Sequence, residues 1–177
     1  MANVGTLKQK GISTLNKPNP IDKLSLKNPI HFLALGFGSG LAPKAPGTFG
    51  TLAALPLFYL MMDLPLIGYL AITALVCGAG VYICDRASKD MGVHDHGAIV
   101  WDEIAGLLIT FILLPSGWIW WLIGFALFRL FDIVKPWPIR WLDAKVHGGF
   151  GIMVDDIIAG FFALACVQAL AYSGLIG

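Results

Sequence analysis

The chain has 177 residues, enough for one domain; 57% are hydrophobic and only 13% are charged. A soluble domain carries about 25% charge, so this composition, with a mean hydropathy of +0.76, excludes an ordinary water-soluble globule and points to lipid as the solvent. A net charge of +1 leaves no basic surplus for a nucleic-acid partner.

Residues 1–28 read as a flexible polar tail carrying Lys8, Lys10, Lys17, Lys23 and Lys27, without the continuous apolar stretch of a cleavable signal. Residues 29–177 read as a single helical membrane domain. HFLALGFGSGLAPKAPGTFG (31–50) is Gly/Pro-rich after a short apolar start. FGTLAALPLFYLMM (49–62) predicts a short apolar helix interrupted by Pro56, either re-entrant or extended backward through residues 31–41. LPLIGYLAITALVCGAGVYIC (64–84) is long enough to span a bilayer. Residues 85–103 are polar. IAGLLITFILLP (104–115) and GWIWWLIGFALFRLF (117–131) form a helical pair around a Pro-Ser-Gly turn. Residues 132–151 are polar and broken by Pro and Gly, and a last helix runs over about 152–173. The expected fold is an all-α, polytopic membrane bundle of four to five apolar helices with a cytosol-facing acidic cluster. Cys77, Cys84 and Cys166 all lie in apolar runs and read as small hydrophobes, since no CxxC or Cys/His cluster accompanies them.

With a cytoplasmic N-terminus, which its lysines favour, five spans place the turns at 63–65 and 115–117 outside. All twelve Lys/Arg and all four His then sit at or near the inner side, and among the eleven acids Asp63 alone is outside. Acids contribute little to the positive-inside rule, so their one-sidedness needs another cause. Trp118, Trp120 and Trp121 fall beside the proposed outer turn, where an interfacial aromatic belt belongs, with Trp137 and Trp141 inside.

The acids repeat one pattern. Asp102 and Glu103 open the third span, Asp132 closes the fourth, and Asp155 and Asp156 open the fifth. An acid at a helix N-terminus gains about 0.3–1 kcal/mol from the dipole. That reading fails for Asp132, at a C-terminus, and does not ask for adjacent acids. Five converging carboxylates repel unless a cation lies between them, and an oxygen-only set suits magnesium, which also holds substrate phosphates. Neighbours on a helix point about 100° apart, so one of each pair ligates and the other supports it or binds a second ion. DEIAG and DDIIAG each place a small residue one turn on, where helices can approach closely.

Lys135 and Arg140 in DIVKPWPIR suit phosphate, with headgroup anchoring as the plainer reading. Arg129, one turn before Asp132, reads as a salt-bridge partner or a snorkelling side chain. The APGTFGT loop (45–51) sets Gly47, Thr48 and Gly50 before a helix, where N–H groups and the Thr48 hydroxyl can hold an anion. His94, Asp95 and His96 form a base or metal pair, or merely cap a polar loop.

GFGSGLAPKAPGTFGTLAALP, GVHDHGAIVWDEIAG, FRLFDIVKPWPIRWLD and HGGFGIMVDDIIAG together resemble the phosphatidylglycerophosphatase A family, over residues 29–160. The resemblance implies an all-helical, magnesium-dependent enzyme of the bacterial inner membrane that removes the terminal phosphate of phosphatidylglycerophosphate. It implies that Asp102, Glu103, Asp132, Asp155 and Asp156 belong to the active site, with Lys135 and the Thr48 loop as family features. Attack by water and attack by an aspartate both stay open. Lipid phosphatases with a PSGH histidine nucleophile are excluded, because Trp118 follows PSG here. The alternatives are a phosphatase of another phospholipid phosphate, or a cation transporter, for which acids at mid-membrane depth and discontinuous helices are expected.

Overall fold

The computed structural model describes residues 19–175, and among them it is all-helical, with no strand. Most of the expected polar tail lies outside the described residues; its last part forms a 3-10 turn, Pro20–Lys23, and Lys23 donates to the Met91 carbonyl at 2.9 Å. The α-helices are α1 (Pro29–Ala34), α2 (Pro46–Met61), α3 (Leu66–Met91), α4 (Trp101–Thr110), α5 (Trp118–Val134), α6 (Ile139–Asp143) and α7 (Gly148–Ser173). A 3-10 segment, Gly36–Leu41, joins α1 to the loop before α2.

By length and hydropathy, two helices are able to cross a bilayer: α3 and α7, of 26 residues each. At 1.5 Å per residue each is about 39 Å long. The other apolar helices of the expected five-span bundle are shorter, 16 residues in α2, 10 in α4 and 17 in α5. α4 stops at Thr110, and the chain turns through Leu113 at φ 54°. Gln168 on α7 donates to the freed Ile112 and Leu113 carbonyls at 3.1 and 3.0 Å, which satisfies groups that a continued helix would have paired.

Both long helices reach further toward the polar end than the sequence suggests. α3 continues through DRASKDM because i,i+4 ion pairs, Lys89–Asp85 and Arg86–Asp90, support it there. It ends at Gly92, a left-handed cap. α7 begins at Gly148, because the glycines after His147 serve close packing and do not break the helix. A side chain at Gly149 would run into the Val81 carbonyl and Asp85 of α3. Asp155 and Asp156 are therefore two turns inside α7, beyond the first turn where the helix dipole acts.

α4 is the axis of the bundle. Every residue in it except Glu103 is buried, and α2, α3, α5 and α7 surround it. Trp101 donates to the Val76 carbonyl at 3.1 Å and Tyr69 to the Leu108 carbonyl at 2.7 Å, fixing α3 antiparallel to α4. On α7, Gly160 lies against the Gly106 carbonyl, the close approach expected of DEIAG and DDIIAG, and the Thr110 hydroxyl bonds both glycine carbonyls at 3.0 and 3.3 Å. The turns near 63 and 115 meet at one end of the bundle, around a cavity of about 350 Å³. Of the expected outer aromatic belt, Trp118 is exposed, but Trp120 is buried and Trp121 packs on Phe58 at 5.0 Å. A helix turns about 100° per residue, so three nearby tryptophans cannot all face lipid.

Candidate active site

The acids meet at the opposite end. Asp102 and Glu103 occupy the first turn of α4, set in place when the Val100 N–H donates to the Ala34 carbonyl at 2.9 Å. Asp156 comes from the third turn of α7. One carboxylate oxygen from each of these three lies within 4.8 Å of the others. Asp102 and Asp156 are buried and Glu103 is nearly so.

The remaining two acids are held by cations. Arg129 on α5 pairs with Asp132, approaches Glu103 at 3.9 Å and donates to the Thr51 hydroxyl at 3.4 Å. Asp132 also lies beside Asp156. Lys135 donates to Asp155 at 2.5 Å and pairs with Asp143 at 3.1 Å. Burial works against the Lys135 ammonium, but Asp155 and Asp143 outweigh it and hold its pKa above the ordinary lysine value. Lys135 caps α5 at φ 44°, a left-handed conformation that a non-glycine residue adopts at a cost. The two adjacent acids of α7 divide as expected from helix geometry, Asp156 toward the trio and Asp155 toward Lys135, but the pair on α4 does not. Asp102 and Glu103 both face the trio.

Among the described residues, four buried carboxylate oxygens have no hydrogen-bond partner: Asp102 Oδ1, Glu103 Oε2, Asp155 Oδ1 and Asp156 Oδ1. An unpartnered buried polar atom is costly, and an ion or water is the ordinary remedy. An all-oxygen set of this kind fits a hard divalent cation such as magnesium.

The loop before α2 lies on the same cluster. A side chain at Gly47 would strike Glu103 and come within 3.2 and 3.3 Å of the Arg129 guanidinium nitrogens. Glycine there lets the first turn of α2, the positive end of its helix dipole, reach the acids. Thr48 is half-buried in that turn, its N–H bonded to the Ala45 carbonyl at 3.0 Å. Arg140 is exposed on α6. The histidines bind nearby backbone: the Gly148 N–H donates to His94 Nε2 at 2.8 Å, and the Ala98 N–H to His96 Nδ1 at 3.2 Å. His94 packs edge-on to His147, and Asp95 is exposed. Thr51 and Asp143 escaped the sequence reading. Thr51 has a helical signal, one turn after Gly47, whereas Asp143 meets Lys135 across a proline turn that carries none.

Residues 32–171 match the family described as phosphatidylglycerophosphatase A. The chain belongs to the phosphatidylglycerophosphatase A family, and it is a phosphatase. It is 51% identical over 156 residues to phosphatidylglycerophosphatase A of Escherichia coli (strain K12), covering 88% of this chain and 91% of that one. Identity to the Haemophilus influenzae protein of the same name is 50% over 160 residues, 89% and 98% of the two chains. A Bacteroides thetaiotaomicron protein, provisionally named a phosphatidylinositol-3-phosphatase, is 36% identical over 143 residues, 76% of this chain and 89% of that one. No solved structure matches.

Proposed function

We propose that this phosphatase removes the terminal phosphate of phosphatidylglycerophosphate, with magnesium, at the cytoplasmic face of a bacterial inner membrane, as a step of phospholipid synthesis. The observation that carries this reading is the buried trio Asp102, Glu103 and Asp156, with unpartnered oxygens beside a lysine and a helix N-terminus. The two 50–51% identical relatives bear the corresponding name.

Magnesium would be held by Asp102, Glu103 and Asp156, with Asp132 and Asp155 adjoining, and there it supplies charge neutralisation and a more acidic bound water. The chain's own groups do the rest. The first turn of α2, with Thr48, and the Lys135 ammonium receive the phosphoryl oxygens, and Arg140 meets the outer part of the headgroup. Arg129 holds Asp132 and Glu103 in position. A water oxygen bonds to phosphorus as the phosphorus–oxygen bond to glycerol breaks. A cluster carboxylate takes the water's proton and returns it to the leaving glycerol oxygen. In the alternative route an aspartate attacks first and water then releases the phosphate.

In the membrane, α3 and α7 cross, and α2, α4 and α5 complete a multi-pass bundle whose acid-bearing end faces the cytoplasm. α7 runs unbroken past its acids, whereas the transport reading requires discontinuous helices. The test is phosphate release by purified protein from phosphatidylglycerophosphate, with phosphatidylinositol 3-phosphate in parallel. Chelation should abolish release and magnesium restore it; release untouched by chelator overturns the metal assignment. Faster release from the inositol lipid overturns the substrate assignment.

A further inference from the structure

A groove of about 460 Å³ runs between the 3-10 segment Gly36–Leu41 and α2, lined by Gly36, Phe37, Ser39, Pro56, Leu57 and Leu60 among others. Resting on the phosphatase reading above, we infer that this groove seats an acyl chain of the lipid substrate while its phosphate lies at the acid cluster.

Three features of the groove support that occupant. The groove is apolar. Its one polar side chain, Ser39, is already committed, donating to the Gly36 carbonyl at 2.7 Å. The hydroxyl proton is therefore taken, and a polar ligand would find little to pair with, whereas a hydrocarbon chain needs no partner.

The groove also shares its walls with elements that carry the site. One wall is α2, whose Gly47 touches Glu103. Ala53, at the near end of the groove, lies six residues further on, about 9 Å along the helix. The other wall packs on the strand of chain entering α4: a side chain at Gly40 would meet the Ala98 carbonyl, and Gly36 lies against Val100. Both walls therefore belong to elements that flank Asp102 and Glu103. From Ala53 to Leu60 its α2 wall runs away from the acid-bearing end, as the tails of a lipid do when its phosphate is at the cluster.

Finally, Phe37 at its mouth is held in a conformation that a free chain avoids. Its φ is 61°, unfavourable for an aromatic residue. Its ring is edge-on to Phe32 at 5.6 Å and to Trp101 at 6.1 Å, directly before Asp102. Yet Phe37 stays 46% exposed, so burial of its own ring does not account for the strain. The strained turn sets an aromatic ring between the groove and Trp101, the residue before Asp102. A bilayer is as apolar as the groove, so the groove contributes orientation of the reacting phosphate more than affinity.

The test compares phosphatidylglycerophosphates bearing palmitoyl and butanoyl chains. Leu57→Trp overfills the groove, and should lower the palmitoyl-to-butanoyl ratio of kcat/KM about tenfold or more. Leu60→Trp, at the exposed outer end, should lower it less, and stands in if Leu57→Trp does not fold. An unchanged ratio in a folded variant overturns the inference. On wild-type protein in vesicles, a substrate analogue with a diazirine in one acyl chain should label Phe37 and the Ala53–Leu60 face of α2. Labelling spread evenly over α3 and α7 also overturns it. If the wild-type protein releases phosphate from neither chain length, the phosphatase reading fails, and labelling still reports on the groove by itself.

Discussion

Arg129→Met removes the guanidinium that faces Glu103 and Asp132. The Arg129 and Asp132 side chains are each only 15% exposed. Taking one partner from a buried ion pair costs about 3–5 kcal/mol, because the remaining charge is left without compensation. The Glu103 contact, at 3.9 Å, is loose and adds little. For a chain of this size each kcal/mol moves Tm by about 2–4 °C, so the variant should melt about 6–20 °C below wild type in detergent. Adding Asp132→Asn removes the orphaned charge and should recover at least half of that loss, which a double-mutant cycle reads as coupling. Magnesium at a hundredfold excess over its Kd should stabilise the wild type by about 2.7 kcal/mol. It should stabilise Arg129→Met by more, since the acids there lack their own cation. An Arg129→Met variant within about 1 kcal/mol of wild type, or a loss that Asp132→Asn does not relieve, would refute the reasoning.

Lys135→Met should lower kcat/KM about 10²–10³-fold, the usual cost of one lost donor to a developing oxyanion, as measured by phosphate release. The Lys135 pKa is raised by its carboxylate partners over the effect of burial, so its stabilising contribution is whole below the ordinary lysine value, about 10.4, and is lost only as pH rises past the raised folded value. Titration of Lys135 itself should accordingly add no slope to wild-type Tm from about pH 6 to about pH 9. Gly160→Ala pushes a methyl into the Gly106 carbonyl and should cost about 1–3 kcal/mol, whereas Gly78→Ala, which meets nothing within 4 Å, should cost nothing measurable in the same thermal melt.

Much of the site was legible because its chemistry is unusual for its surroundings. Carboxylates in an apolar chain cannot be filler, so Asp102, Glu103, Asp132, Asp155 and Asp156 stood out at once. Gly47 and Thr48 were legible as a loop before a helix. The end of α3 and the start of α7 were misplaced, because polar residues and glycines signal a break only when no partner uses them. Lys89 and Arg86 used the polar stretch for ion pairs. α3 used Gly149 for close packing.

From the sequence alone came the helical class, the lipid-like composition, the family and the gathering of acids toward one end, since each depends on residue identity or on spacing along one chain. Only the tertiary structure decided that Asp102, Glu103 and Asp156 converge while Asp155 goes to Lys135. The Arg129–Asp132 pair lies within one turn of α5 and was legible as such, whereas the convergence of the trio and the Lys135–Asp155 pair depend on how closely and at what rotation separate helices pack. Here Gly47, Gly106, Gly149 and Gly160 set that packing by the absence of a side chain, and no one-dimensional spacing records it.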